Sequence, residues 1–242
     1  MIILEIRSRL EPIQAAQLFV KKNYPTCQGA ILAGSVVREE TTPTSDLDIV
    51  IFDQNIASSY RESLVDGGWP IEVFVHSLTS YKSIFESDCK RARPSMPRMV
   101  SEGIAIKDVG VLQTIKEEAK ALLENGPEVW SEETIRTKRY FITDTLYDFV
   151  GCSKRTEEIF IAATLAELMS EFILRVNRQW IGTSKWIIRS LRHYDEVFAS
   201  DFANAFDLYY KTGEKKQVIQ LVEHVLQPYG GMLFDGFSIG KG

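Results

Sequence analysis

Residues 45–52 read SDLDIVIF, an apolar run that opens with two acidic residues, Asp46 and Asp48. The β-branched residues of this run predict a buried strand. Because successive side chains of a strand point to opposite faces, two aspartates two positions apart share one face. Upstream, Gly34 and Ser35 follow a second apolar run. The sequence therefore predicts a carboxylate pair on a strand, preceded by a strand and a glycine–serine turn.

Near residue 110, the sequence pattern changes from short apolar runs that predict strands to apolar residues at helical spacing. A helix is expected from Pro12, and a second one over residues 57–65. After residue 110, apolar residues recur at helical spacing, beyond a linker expected from Gly126 to Ser131. Four short apolar runs before residue 110 predict strands: 30–32, 47–52, 71–75 and 104–106. We expect an N-terminal α/β domain, residues 1–110, and a C-terminal helical bundle, residues 111–242.

Composition narrows the class of protein. The 242 residues carry a net charge of −5, which does not favour long nucleic acid as the main partner and suits a small or cationic one. No apolar run approaches the roughly 18 residues that a membrane span needs. Residues 1–5 show no secretory signal, and three widely spaced cysteines indicate neither a disulfide framework nor a zinc site. A cytoplasmic location is expected.

A third carboxylate, Glu72, lies inside the apolar run 71–75. A strand beside the first could present Glu72 to the same point as Asp46 and Asp48. Three carboxylates on one sheet face repel each other unless a hard divalent cation joins them, and Mg²⁺ prefers oxygen ligands and accompanies triphosphates. The sequence predicts that these three residues bind Mg²⁺. Each acid alone has an ordinary alternative, as an exposed residue at the start of a strand or on an edge strand.

Gly34 and Ser35 are candidates for binding phosphate. Glycine lets the backbone come close to a phosphate, and backbone N–H groups with the Ser35 hydroxyl can hold it. A helix is expected to begin here, with Arg38 one turn on adding positive charge. Four basic residues at 90–98 form a loop in which phosphate binding and a solvated charge cluster are both open: Lys90, Arg91, Arg93 and Arg98.

The pattern formed by Gly34-Ser35, segment 45–49 and Glu72 resembles the core motif of the DNA polymerase beta-type nucleotidyltransferase superfamily. Gly34-Ser35-x-x-Arg38 and Ser45-Asp46 are most similar to the antibiotic nucleotidyltransferases of the kanamycin and lincosamide type. The motif spans residues 30–76, and a weaker resemblance runs to about residue 151. The resemblance implies an α+β fold, a mixed sheet with flanking helices followed by a C-terminal helical bundle that completes the active site.

The resemblance also implies a general base in the helical domain. Residues 148–151 match a Glu-aromatic-small-Gly segment of the kanamycin enzyme, which assigns the base to Asp148. That enzyme has a lysine where Cys152 stands here, so Lys154 or Lys185 is the candidate second cation for the triphosphate. From the residues alone, Asp144 and Asp148 lie on one helix face, and either could accept a proton or be a solvated surface residue. Trp180 and Trp186 could stack on a ring or pack the bundle.

These features predict an enzyme that uses Mg²⁺ to transfer a nucleoside monophosphate, AMP from ATP, to a hydroxyl of a small molecule such as an aminoglycoside-like antibiotic. Two alternatives stay open. One is nucleotidylylation of a partner protein or a tRNA, as in toxin–antitoxin systems. The other is a nucleotide-binding module without catalysis. A homodimer is compatible with the sequence.

Overall fold

The computed structural model describes residues 9–241. Residues 1–5, in which the sequence shows no secretory signal, lie outside that range. The chain divides into two compact units, one through Asn125 and one from Gly126 onward. Among residues 9–241, no helix combines the length and the apolar character needed to cross a membrane.

The first unit is built on a five-stranded sheet. Its strands are β1 Gly29–Ala33, β2 Leu47–Phe52, β3 Tyr60–Asp66, β4 Trp69–His76 and β5 Ile104–Asp108. Their order in the sheet is β3-β4-β2-β1-β5, so the strand that carries Asp48 lies at the centre. Strands β2 and β4 run parallel, and the other pairings are antiparallel. The mixed sheet followed by helices confirms the α+β fold class.

Helices cover both faces of this sheet. The helix α1 (Pro12–Asn23) shares an apolar cluster with Leu47, Ile49 and Ile51 of β2. On the opposite face, Val50 and Phe52 share a second cluster with α2 (Ser80–Lys90), α3 (Ser95–Glu102) and α4 (Leu112–Asn125). Burial on both faces is the reason β2 reads as an unbroken apolar run after Asp48.

The expected domain boundary at residue 110 differs from the division between the compact units, which falls after Asn125. The reason is α4. Its apolar side chains Leu112, Ile115 and Ala119 are buried in the cluster that covers the sheet. The helix therefore packs with the first unit, although its apolar residues recur at the helical spacing that is typical of the second unit.

The expected helix over 57–65 is wrong, because residues 60–66 form β3. Gly67 and Gly68, with φ of 60° and 82°, connect β3 to β4 as a two-residue turn, and Asp66 pairs with Trp69. A Gly-Gly turn of this kind requires positive φ and is typical of a β-hairpin. The expected basic loop at 90–98 also needs correction, because Lys90 is the last residue of α2 and Arg98 lies on α3.

The second unit is helical. The Ser131 hydroxyl accepts a hydrogen bond from the Thr134 N–H at 3.1 Å and caps the first helix, at the end of the predicted linker. Asp195 separates two of the helices, and its carboxylate caps the second of them by accepting from the Phe198 N–H at 2.9 Å. The helices are α5 Glu132–Gly151, α6 Arg155–Val176, α7 Lys185–Tyr194, α8 Glu196–Thr212 and α9 Lys216–Leu226.

Candidate metal and phosphate site

The parallel pairing of β2 with β4 brings the predicted metal ligands together. Asp48 on β2 lies directly opposite Glu72 on β4, and Asp46 stands just ahead of β2, which begins at Leu47. One carboxylate oxygen from each of the three residues lies within 4.8 Å of the others. This is close to the spacing of neighbouring strands, so the register alone accounts for the approach of Asp48 and Glu72.

Asp48 and Glu72 each lie on a strand face whose following side chains are apolar. Val50 follows Asp48 at the same-face spacing on β2, and Phe74 follows Glu72 on β4. Both belong to the apolar cluster under α2, α3 and α4. The three carboxylates themselves are half-buried. The site is therefore held by rigid strands anchored in the core and retains access to solvent.

The position of Asp48 disfavours the ionised form of its carboxyl group. Burial, followed by the charges of Asp46 and then Glu72, raises the pKa of Asp48 to about 6, against the opposing effect of Arg38 and Arg61. Three oxygen donors at this spacing, with one carboxyl destabilised in its ionised form, fit a hard divalent cation such as Mg²⁺. A cation bound here would offset both the repulsion and the cost of burying the charge.

Arg61 is a basic neighbour that the sequence did not predict. Its Nη2 donates to Glu72 Oε2 at 2.6 Å, and its guanidinium lies over the Phe74 ring at 5.0 Å. The Arg61 side chain is 58% exposed, so the ion pair is of the surface kind that contributes about 0–1 kcal/mol. A divalent cation can therefore compete with it. Recognition of the Gly-Gly hairpin would have revealed Arg61, because Arg61 pairs with Phe74 on the face of Glu72.

Gly34 brings backbone against the carboxylate cluster. It follows β1 with φ of 82°, a conformation that L side chains rarely adopt. A Cβ atom at this position would lie 2.0 Å from Asp48 Oδ2. The absence of a side chain is therefore what lets the candidate phosphate-binding segment and the strand that carries Asp48 approach each other.

Residues 35–39 form a turn, so the expected helix after Gly34 is wrong. The Glu40 N–H donates to the Ser35 carbonyl at 3.0 Å, and Glu39 has a positive φ of 59°, which a helix does not allow. The turn is held from the other side by Ser45. The buried Ser45 hydroxyl accepts from the Ser35 hydroxyl at 3.2 Å and from the Thr42 N–H at 2.8 Å. Ser45 is thus a positioning residue between the turn and Asp46.

Arg38 lies on this turn and is half-buried. Its Nη1 lies 3.3 Å from Glu102 Oε2, and its Nε lies 3.5 Å from Glu40 Oε2. Arg38 lowers the pKa of Asp48, so its charge acts on the carboxylate cluster. The structure therefore brings Gly34, Ser35 and Arg38 to the same end of the sheet as the three acids.

The remaining predicted residues belong to the second unit. Asp148 is exposed on α5, and Asp144 is half-buried one turn earlier. Lys185 is the exposed first residue of α7. Trp186 packs close to Gly182, where a Cβ atom would lie 2.5 Å from Trp186 Cβ. The roles of Asp148 and Lys185 at the carboxylate site stay predictions.

No protein-family model matches the sequence, and no curated protein is significantly similar to it. Among solved structures, the chain is similar to a nucleotidyltransferase-like protein from Exiguobacterium sibiricum 255-15. The two share 13% sequence identity and a TM-score of 0.48, over 89% of this chain and 74% of the other. A similarity of this size carries no argument about function, so the case for a function depends on the site.

Proposed function

We propose that this protein is a Mg²⁺-dependent nucleotidyltransferase that moves AMP from ATP to a hydroxyl group of a small molecule. The observation that carries the proposal is the meeting of three carboxylate oxygens within 4.8 Å, against the backbone of Gly34. This places candidate cation ligands beside a segment suited to bind phosphate. The proposal agrees with the family resemblance of residues 30–76.

In the proposed reaction, the acceptor oxygen attacks the α-phosphorus of the triphosphate. A new P–O bond forms, the bond from the α-phosphorus to the bridging oxygen breaks, and pyrophosphate leaves with that electron pair. The acceptor proton passes to a base. Mg²⁺, when bound, neutralises phosphate charge and helps to align the attack. Asp46, Asp48 and Glu72 would hold it.

The other residues of the first unit would bind the triphosphate. The N–H groups after Gly34 and the Ser35 hydroxyl would donate to phosphate oxygens. Arg38 would offset the charge that develops on the departing pyrophosphate. Ser45 keeps the turn in place through its hydrogen bond with Ser35.

The second unit would supply the acceptor side. The proposal assigns the base to Asp148, which would take the acceptor's proton at its carboxylate, and gives Lys185 a contact to the triphosphate. The net charge of −5 supports a cationic acceptor, and an aminoglycoside-like antibiotic has the required charge and hydroxyl groups. The complete set of three acids does not favour a binding module without catalysis.

A pyrophosphate-release assay tests this function. Purified protein would be incubated with each of the four nucleoside triphosphates and a panel of acceptors containing aminoglycosides, lincosamides, tRNA and a protein extract, with Mg²⁺ or with EDTA. We expect Mg²⁺-dependent release with ATP and one class of small hydroxylated acceptor. Asp46→Asn should abolish the release, and Asp66→Asn, on the β3–β4 hairpin, should not. Release that survives EDTA or Asp46→Asn would contradict the proposal.

A further inference from the structure

An open cleft of about 280 Å³ lies in the second unit. It is found where α6 and α7 end and α8 begins, and its remaining wall comes from α9 and from the 3₁₀ turn Gln227–Tyr229. The cleft contains none of the residues assigned above to the metal, the phosphates or the proton transfer. Its volume accommodates a ring compound of about a dozen non-hydrogen atoms.

Three tyrosine and phenylalanine side chains line the cleft, and two of them are held by packing on buried rings. Tyr229 packs edge-on against Phe172 of α6, with ring centroids 5.2 Å apart. Phe198, in the first turn of α8, packs against Phe202 at 6.2 Å. Tyr194, the last residue of α7, is the third. Rings fixed in this way offer flat apolar faces to a ligand at a small cost in side-chain entropy.

The residues that line the cleft also have hydrogen-bonding capacity that the protein does not use. Asp195 Oδ1 caps α8, and Asn177 Nδ2 donates to a carbonyl of α6 at 2.8 Å. Within residues 9–241, four groups on the lining residues have no protein partner: Asp195 Oδ2, Asn177 Oδ1 and the hydroxyls of Tyr194 and Tyr229. Burial, followed by the neighbouring Tyr194, raises the pKa of Tyr229, so its hydroxyl stays protonated and can donate or accept.

The electrostatics of the cleft favour a cation. Asp195 is the one carboxylate among the nine lining residues, all within the described range 9–241, and none of the nine is a lysine or an arginine. The last turns of α6, α7 and α9 lie at the cleft, and the carbonyl end of a helix carries partial negative charge. Arg192 is in the last turn of α7, but its Nε lies 3.6 Å from Glu196 Oε1. Aromatic faces also attract cations, so a protonated amine suits this lining.

We propose that this cleft binds a small hydroxylated ring compound that carries a protonated amine. The ammonium group would donate to Asp195, the apolar face of the ring would pack on the aromatic side chains, and the hydroxyls would bond to Asn177 and the tyrosines. An amine without hydroxyls would leave these polar groups unpaired, and an uncharged sugar would leave Asp195 without a cation. The inference goes beyond the proposed function, because it concerns the second unit whether or not a nucleotide is transferred.

An NMR titration of the full chain, labelled with ¹⁵N, tests the inference at pH 7 with three probes: glucosamine, glucose and cyclohexylamine. We expect glucosamine to bind with a Kd in the millimolar range, as is usual for so small a ligand, and to shift the amide signals of Tyr194, Asp195 and His224. Glucose lacks the amine and cyclohexylamine lacks the hydroxyls, so each should bind about fivefold more weakly or worse. Equal affinity for either of them would overturn the proposed class of ligand.

Asp195→Asn removes the charge but keeps a side chain that caps a helix equally well, so α8 should stay intact. This variant should bind glucosamine about tenfold more weakly and glucose within about twofold of the wild type. Asp201→Asn, at an exposed position of α8 outside the cleft, is the matched control and should change neither affinity.

Two further results would overturn the inference. One is a wild type whose cleft signals do not respond to about 20 mM glucosamine. The other is an Asp195→Asn variant that binds glucosamine as tightly as Asp201→Asn does. The comparison of the three probes on the wild type decides the matter even if Asp195→Asn does not fold. Because these titrations contain no nucleotide, their failure is distinct from failure of the pyrophosphate-release assay, which tests the carboxylates of the first unit.

Discussion

Asp46 and Asp48 stand at the start of a strand, whereas Asp144 and Asp148 lie one turn apart on α5. Both spacings place two carboxylates on one face. The strand pair has Glu72 within 4.8 Å, and among residues 9–241 this triad is the one group of acidic, histidine or cysteine side chains spaced to share a metal ion. The helix pair stays a pair, on a helix where the neighbouring Tyr140 stacks on Phe237 at 3.9 Å.

Spacing along the chain is therefore not enough to concentrate charge. A parallel neighbour in register delivers a third carboxylate to the strand pair, and the core on both faces of β2 holds it there. The helix pair lies on a more exposed surface, where a carboxylate can accept a proton without a bound cation. We therefore expect the two pairs to differ in what their removal does to catalysis.

The largest effect is expected for Asp48→Asn. Loss of a metal ligand should remove several kcal/mol of charge stabilisation and lower pyrophosphate release by about 10⁴-fold or more. The measurement is turnover at saturating ATP, with circular dichroism to show that the fold is intact. Asp66→Asn serves as the control. Turnover within about tenfold of the wild type would end the distinction between the two pairs.

Asp148→Asn should lower turnover by about 10²–10⁴-fold, because a general base contributes this much. Binding of Mg²⁺ and ATP should remain, since the residue is assigned to the acceptor and not to the metal. Asp144→Asn, on the same helix face, is the matched variant and should have the smaller effect. The reverse ranking would move the base to Asp144, and two unaffected variants would leave the helix pair without a catalytic role.

Gly34→Ala tests how closely the backbone at Gly34 must approach the strand pair. The added Cβ would meet Asp48 Oδ2 and also adopt a strained positive φ, which costs about 1–3 kcal/mol. We expect turnover to fall about 10²-fold through displacement of the site. Gly67→Ala shares the positive φ but has no atom within 4 Å of the added Cβ, so it isolates the crowding. Equal turnover in both variants would contradict this account.

The pH dependence should follow the raised pKa of Asp48. The folded value of about 6 exceeds the ordinary value of 3.8, so the metal-free folded protein binds more protons between these values. Its free energy of unfolding therefore decreases as the pH rises from about 4 to about 6. Mg²⁺ requires the ionised carboxyl, so the rise in Tm on adding Mg²⁺ should be full at pH 8 and shrink below about pH 6.

Asp48→Asn should remove both pH effects, because the asparagine does not titrate. The measurement is thermal unfolding of the wild type and the variant at pH 5 and pH 8, with Mg²⁺ or EDTA. A Mg²⁺-induced rise in Tm that is as large at pH 5 as at pH 8 would show that Asp48 is not a ligand of the cation.

The smallest effect is expected for Lys185→Ala. An exposed cation contributes about 0.2–1 kcal/mol to an ionic contact, which predicts an increase of about 1.4- to fivefold in the KM for ATP with kcat nearly unchanged. Lys154→Ala, the other candidate for this contact, is measured beside it. An increase in KM for Lys154→Ala alone would transfer the role, and no change in either would remove the second unit from triphosphate binding.

The strands that were predicted correctly can be recognised from a short stretch of sequence. The runs at 30–32, 47–52, 71–75 and 104–106 all lie in strands, because side chains that pack on a sheet are β-branched or apolar. The strand β3 was missed because most of its residues, such as Arg61, Glu62 and Ser63, are exposed, so the run carries no apolar alternation. Its Gly-Gly turn was the signal that could have found it.

That Asp46 and Asp48 share a face and that Gly34 precedes them follows from the amino-acid sequence alone, because strand alternation and the freedom of glycine are properties of a few adjacent residues. The position of Glu72 opposite Asp48 and its ion pair with Arg61 depend on the three-dimensional fold. The same is true of Arg38 and Arg98, which both contact Glu102. Strand register and helix packing bring these residues together from distant parts of the chain, and neither can be inferred from a short motif.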